Sequence, residues 1–244
     1  MDTGFRPMAS PRYPGHHTRH HPLTGSSATA WGAADAGILT SIHQPGTGIA
    51  IWYRPPSPAL GAAADQLCTA LATRSADPEG TSLRAPLATA DPRTVIADLL
   101  VAHGLASANL DRIAPLVADM AALAWTFCSL ARDLPEPAPI GLRLEVITGT
   151  SCPRFHVDQS QLRLLCTYRG PGTEWLGHAQ VDRRALYDHQ PNDRILRTGN
   201  PERLDTCWVG LLKGERYPGN QGCGQVHRSP PAAGMARLLF CLDV

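Results

Sequence analysis

The sequence predicts an α+β chain: a hairpin and a helical layer come first, and an all-β half follows. Three observations carry that prediction. Apolar residues recur at helical spacing between about residues 57 and 131, beyond Pro139 the apolar runs become short and β-patterned, and Gly- and Pro-rich turns separate those runs. Many short strands punctuated in this way build a sandwich, a jelly roll or a small barrel. The 244 residues, 43% of them hydrophobic, are ample for such a core. The expected divisions are a disordered tail over 1–35, a hairpin and helical part over 36–139, and a metal-binding β-part over 140–244, the last two forming one compact unit.

The tail is rich in Pro, Gly, Ser and His and shows no hydrophobic period. His16, His17, His20 and His21 within it read either as a metal-binding tract or as incidental residues of a polar tail. From Ile38 to Arg54 two apolar stretches flank Gln44-Pro45-Gly46-Thr47-Gly48, the pattern of strand, turn and strand. Ser57 before Pro58 reads as an N-cap and first helical residue, opening a helix to about Ala72. Asp91-Pro92 repeats that signal ahead of Val95, Ile96, Leu99 and Leu100, which share a helical face. A longer helix is expected from about Leu110 to Ala131, with Pro115 marking its true start or a kink. The β-half then offers runs at Leu142–Thr148, Phe155–Asp158, Leu162–Tyr168, Thr206–Leu212, Gly224–Arg228 and Met235–Leu242.

Charge and cysteine usage narrow the class. The formal net charge is +1 and charged residues make up 18%, which gives no electrostatic footprint for nucleic acid or an acidic membrane surface. No apolar run is expected to reach the roughly 18 to 20 residues that span a bilayer, and the Arg-, His- and Pro-rich start, with no apolar h-region, is not expected to act as a secretory signal. The seven cysteines are odd in number, scattered and free of any C-x-x-C pair, which predicts free thiols in the reducing cytoplasm. No phosphate loop, dinucleotide fingerprint or nucleophile elbow is present, so nucleotide use and serine hydrolysis are not expected.

The residues that carry chemistry begin at Phe155-His156-Val157-Asp158. On a strand, His156 and Asp158 point to one face, about 7 Å apart along it, and can grip one ion. His227 on a late strand would complete two histidines and a carboxylate, a set that holds one face of an iron ion and leaves positions open. The order His-x-Asp, a long gap, then His is what a jelly roll requires when early and late strands lie side by side. Arg237 falls on the next strand, where its planar double donor could hold an acid cosubstrate, or pair with Asp243 as a structural salt bridge. Tyr168 shares a strand face with Leu162, Leu164 and Cys166. It either points into the site and bonds a ligand carboxylate or is a core tyrosine. Arg163 and Arg169 then fall on the opposite face, where solvation is expected.

These residues resemble a known pattern. His156-x-Asp158, His227 with Ser229 and Pro230 close behind it, and Arg237 resemble the motif of iron(II)/2-oxoglutarate-dependent dioxygenases. That resemblance implies a double-stranded β-helix, Fe(II) at His156, Asp158 and His227, and 2-oxoglutarate on Arg237. The segments around Cys152–Asp158, Leu164–Trp175, Gly210–Glu215 and Val226–Pro231 resemble the signature of the bacterial domain-of-unknown-function 1826 family. This second resemblance implies a context in zinc homeostasis. Two functions follow as expectations. One is an Fe(II)- and 2-oxoglutarate-dependent oxygenase with His156, Asp158 and His227 as its catalytic metal ligands, Arg237 and Tyr168 holding the cosubstrate, and a small molecule or a protein as substrate. The other is a non-enzymatic zinc-binding jelly roll, because two histidines and a carboxylate suit zinc as well.

Overall fold

A computed structural model describes residues 29–72, 80–87, 90–136, 138–231 and 234–244. Most of the expected tail, with its histidine tract, lies outside them. Strand β1 (Thr29–Ala33) falls within the expected tail and runs parallel to β2 (Thr47–Trp52). Between them the first apolar stretch is a 3-10 helix, Ala36–His43, and not a strand. Its buried Leu39 and Ile42 stand three residues apart, one 3-10 turn, and Asp35 Oδ1 accepts from Gly37 N at its start. The N-terminal hairpin expected from the sequence is therefore absent, since a parallel pair needs a crossover and not a tight turn.

Helix α1 (Pro58–Ala72) starts where Ser57 and Pro58 predict it, with Ser57 Oγ accepting from Leu60 N at 3.4 Å. Strand β3 (Gly80–Leu87) has no counterpart in the sequence reading. It is an edge strand with Pro86 inside it, and an edge tolerates the missing N–H. Helix α2 (Pro92–Ala102) opens on Asp91, whose side chain accepts from Arg93 N. Asp91→Ala should cost about 1 kcal/mol, read as a melting temperature about 2–4 °C lower, with no effect on metal binding. The next stretch is broken into α3 (Ser107–Leu110), a 3-10 turn over Asp111–Ile113 and α4 (Ala114–Ala131), and Pro115 lies in the first turn of α4. By length and composition Ser107–Ala131 could cross a membrane, contrary to the sequence expectation. Its Leu116, Val117, Met120, Leu123, Ala124 and Phe127 are instead buried in the protein core.

The rest is mainly strands: β4 (Ile140–Ile147), β5 (Leu162–Arg169), β6 (Glu174–Trp175), then α5 (Arg183–Tyr187) and α6 (Asn192–Ile195), then β7 (Glu202–Arg203), β8 (Val209–Lys213), β9 (His227–Arg228) and β10 (Arg237–Asp243). Seven strands form one sheet in the order β1-β2-β8-β5-β10-β4-β3, antiparallel at every pairing except β1–β2. The second sheet is β7-β6-β9, and the isolated bridge between His156 and His227 extends it by one rank.

Strand alternation sorts the large sheet into two faces. Leu162, Leu164, Cys166 and Tyr168 of β5, with Leu238, Phe240 and Leu242 of β10, join the core built with Leu67, Ile96, Leu116, Met120 and Phe127 of the helices. Leu165, Leu212, Leu239 and Cys241 face the other way, into a second core that takes in Leu204 and Trp175 from around the small sheet. Phe155, Leu176, Leu186, Ile195 and Val226 form a third cluster between the small sheet and the α5–α6 segment. The molecule is thus layered, with the helices on one face of the large sheet and the second core on the other.

Candidate metal centre

His156 and His227 exchange backbone hydrogen bonds, each N donating to the other's O at 3.0 Å, which brings their rings to 4.5 Å between centroids. His156 Nδ1 is 2.9 Å from Arg154 O and His227 Nδ1 is 3.1 Å from Gln225 O. A carbonyl can only accept, so both Nδ1 atoms donate, and in the neutral ring that tautomer puts the lone pair on Nε2. Burial pushes His227 down to about 4, against a smaller upward pull from Asp158, so its imidazole is neutral at neutral pH. Asp158 is 8% exposed and follows His156 by two residues, on a segment that forms only the isolated bridge at His156 and not the strand expected over Phe155–Asp158. Its Oδ2 is 3.3 Å from His227 Nε2, and its Oδ1 is 3.9 Å from His156 Nε2. One donor atom from each of the three lies within 4.8 Å of the others, a grouping that could hold a metal ion. Cys152 and Cys223, near these ligands in sequence, are not in the group.

Arg163 is the site residue that sequence reasoning missed. Its Nη1 donates to Asp158 Oδ1 and its Nε donates to Asp243 Oδ1, and its side chain is 16% exposed rather than solvated. The signal was present in the alternation of β5. If Tyr168 shares a face with Leu162 and Leu164, Arg163 lies on the other face. The face carrying Arg163 is the one turned to the metal donors.

Arg237 lies on the same face, at the start of β10, and is 5% exposed. Its Nη2 donates to Thr173 Oγ1 at 2.8 Å and to Thr167 Oγ1 at 3.2 Å, and its Nη1 donates to Ser229 Oγ at 3.3 Å. Its Nε is buried without a partner, and burial lowers the guanidinium to about 10. Among the described residues no carboxylate is within ion-pair distance of it, and Asp243 is taken by Arg163. The turn Gly170-Pro171-Gly172 delivers Thr173 to this arginine. Gly170 has φ +79°, and a Cβ on Gly172 would stand 1.8 Å from Leu204 O, so both positions need glycine.

Tyr168 is not brought to this site. Its hydroxyl donates to Asp119 Oδ2 of α4 at 2.5 Å, on the helical face of the sheet. Trp175 stands opposite His227 in the β6–β9 register and packs on the second core. Of the five residues singled out from the sequence, the structure therefore groups His156, Asp158 and His227, puts Arg237 on the same face, and puts Tyr168 on the other.

A family described as "Protein of unknown function (DUF1826)" matches residues 33–243. The chain belongs to the DUF1826 family. No curated protein matches it. Among solved structures, this DUF1826 chain is similar to the Arabidopsis thaliana dioxygenase for auxin oxidation 1 in complex with 2-oxoglutarate, at 12% identity and a TM-score of 0.53, covering 88% of this chain and 91% of that one. It is also similar to a Pseudomonas putida prolyl-4-hydroxylase, at 12% identity and a TM-score of 0.46 over 85% and 96% of the two chains. The rice dioxygenase for auxin oxidation follows at 15% identity and a TM-score of 0.47 over 80% and 72%. At these identities the likeness is one of fold, and only the first carries weight for it. The DUF1826 chain is accordingly a mixed α+β protein whose large, mostly antiparallel sheet resembles that of a dioxygenase.

Proposed function

We propose that this protein is an Fe(II)- and 2-oxoglutarate-dependent oxygenase whose metal is held by His156, Asp158 and His227 and whose cosubstrate is held by Arg237. The observation that carries the reading is Arg237. Arg237 is a guanidinium buried among three hydroxyls, with its Nε–H unpartnered and, among the described residues, no carboxylate within ion-pair distance; Glu145 offsets its charge only from farther away, and a buried charge of this kind is costly unless an anion completes it. The distal carboxylate of a short diacid fits that requirement, with Thr167, Thr173 and Ser229 orienting the arginine toward it.

The fold belongs to the same proposal. From β4 onward the chain alternates between sheets: β4 in the large one, His156 in the small, β5 in the large, β6 and β7 in the small, β8 in the large, β9 in the small and β10 in the large. Eight ranks alternating in this way support a double-stranded β-helix, with the site between its sheets.

Bound at this triad with the acid, iron would supply oxidation of a C–H bond by dioxygen. The work of the chain's own residues is more limited. His156 and His227 present fixed Nε2 lone pairs, Asp158 supplies the negative charge, Arg237 binds and orients the acid, and Leu165 and Leu239 keep water from the floor between them. The primary substrate in this proposal is a small molecule or a protein, not a nucleic acid or a membrane.

The test is an anaerobic titration of metal-free protein with Fe(II), with and without 2-oxoglutarate. The expected result is a visible metal-to-ligand charge-transfer band that requires both. In Arg237→Gln the band should need about 10- to 100-fold more acid, the loss expected for hydrogen bonds to a charged group. Tight stoichiometric zinc binding with no band would sink the oxygenase and favour the non-enzymatic zinc protein.

A further inference from the structure

Arg163 stands between two carboxylates that lie on different elements. Asp243 is its directly paired neighbour across the β5–β10 ladder, so one end of the guanidinium is tied to the sheet. The other end reaches Asp158, a candidate metal ligand carried by the segment before β5. Around Asp243 the network continues. Cys241 Sγ lies 3.6 Å from Asp243 Oδ2, and Arg143 Nη2 lies 3.3 Å from that sulfur. A planar guanidinium held by a backbone-paired partner is a rigid donor, since little rotamer freedom remains to it.

The two oxygens of Asp158 are treated differently. Oδ1 accepts from Arg163, whereas Oδ2 is turned to His227 Nε2. A carboxylate can ligate an ion through one oxygen or both, and the choice decides how many positions stay open. Three single-atom ligands on an octahedral ion leave three positions, while a two-oxygen carboxylate would take one of them.

We infer that Arg163 is a positioning residue of the metal centre: it occupies Oδ1 of Asp158, aims Oδ2 at the ion and keeps the carboxylate a one-oxygen ligand. This rests on the metal-centre reading given above and deepens it. Asp243 acts through Arg163 and touches neither histidine. The pair resembles a hydrogen-bonded outer shell, whose loss typically lowers metal affinity 10- to 100-fold.

Co(II) tests this without turnover, because its visible absorption reports coordination and its affinity can be read by chelator competition. In Arg163→Met, folded as judged by circular dichroism, Co(II) affinity should fall about 10- to 100-fold and the visible spectrum should change. Asp243→Asn should shift both readings in the same direction by a smaller amount. Wild-type affinity and spectrum in a folded Arg163→Met would overturn the inference and leave the metal centre standing. If Arg163→Met does not fold, Asp243→Asn decides, and an unchanged affinity and spectrum there overturns it equally. Failure of the wild-type protein to bind Co(II) at all would remove the metal centre itself, and the inference with it.

Discussion

His227→Ala should abolish metal binding while the protein stays folded. The loss should exceed the roughly 100-fold seen when only an outer-shell partner is removed, because a ligand atom itself is lost. His227 is the most buried of the three donors, its ring is fixed by Gln225 O, and its Nε2 is closest to Asp158. Neutrality adds to this. With its folded value lowered from 6.5 to about 4, the imidazole needs no proton removed to accept an ion at neutral pH. The same shift has a stability consequence in the metal-free protein. The unfolded chain takes up this proton at about 6.5 and the folded one only near 4, so wild-type stability should be lost as pH falls through that window. His227→Ala lacks the group and should lose less over the same window. Chelator competition with Fe(II) or Co(II) checks the first expectation, and urea melts at pH 7 and pH 4.5 check the second. Unchanged metal affinity would show that the triad is not the metal centre.

The readings that succeeded rest on local chemistry. Asp91-Pro92 starts α2 because a capping carboxylate and a fixed φ act within one turn, whatever the rest of the fold does. His156 and Asp158 do come together, although the expected strand over Phe155–Asp158 is reduced to one bridge at His156, and of the run expected over Gly224–Arg228 only His227–Arg228 pairs. The failures are of another kind. Leu39 and Ile42 belong to a 3-10 turn, and a short apolar run does not by itself distinguish that turn from a strand. The strands β6 and β7 are two residues each and carry no period at all. The decisive miss concerns β5, whose two faces were correctly separated by alternation. Which face met the histidines and Asp158 depended on where the helices pack. That is tertiary information: Leu162, Leu164, Cys166 and Tyr168 are covered by α1 and α4, leaving Arg163 and Thr167 to the site.

Asp119→Ala should destabilise the protein by about 3–5 kcal/mol, the cost of leaving a buried charge without its partner. Arg54 is 8% exposed, and its Nη1 donates to both oxygens of Asp119, at 2.7 and 3.0 Å. Its Nε donates to Cys207 O at 2.6 Å, and its Nη2 points at Cys166 Sγ at 3.2 Å. Cys207 has φ +69°, a left-handed conformation that a cysteine seldom adopts, in the turn that presents this carbonyl to the arginine. Tyr168 completes the cluster through Asp119 Oδ2. These groups tie α4 to the sheet on the face away from the histidines, so stability and metal binding should separate cleanly. Replacing both members, as Arg54→Met with Asp119→Leu, should recover most of the loss, because two apolar side chains leave no charge unpaired. A double-mutant cycle in urea measures that coupling, and additive losses would contradict it. Tyr168→Phe extends the argument to the residue once expected at the cosubstrate. It should cost about 1 kcal/mol for the hydroxyl's bond to Asp119. It should leave the acid concentration needed for the charge-transfer band unchanged, whereas Arg237→Gln raises it.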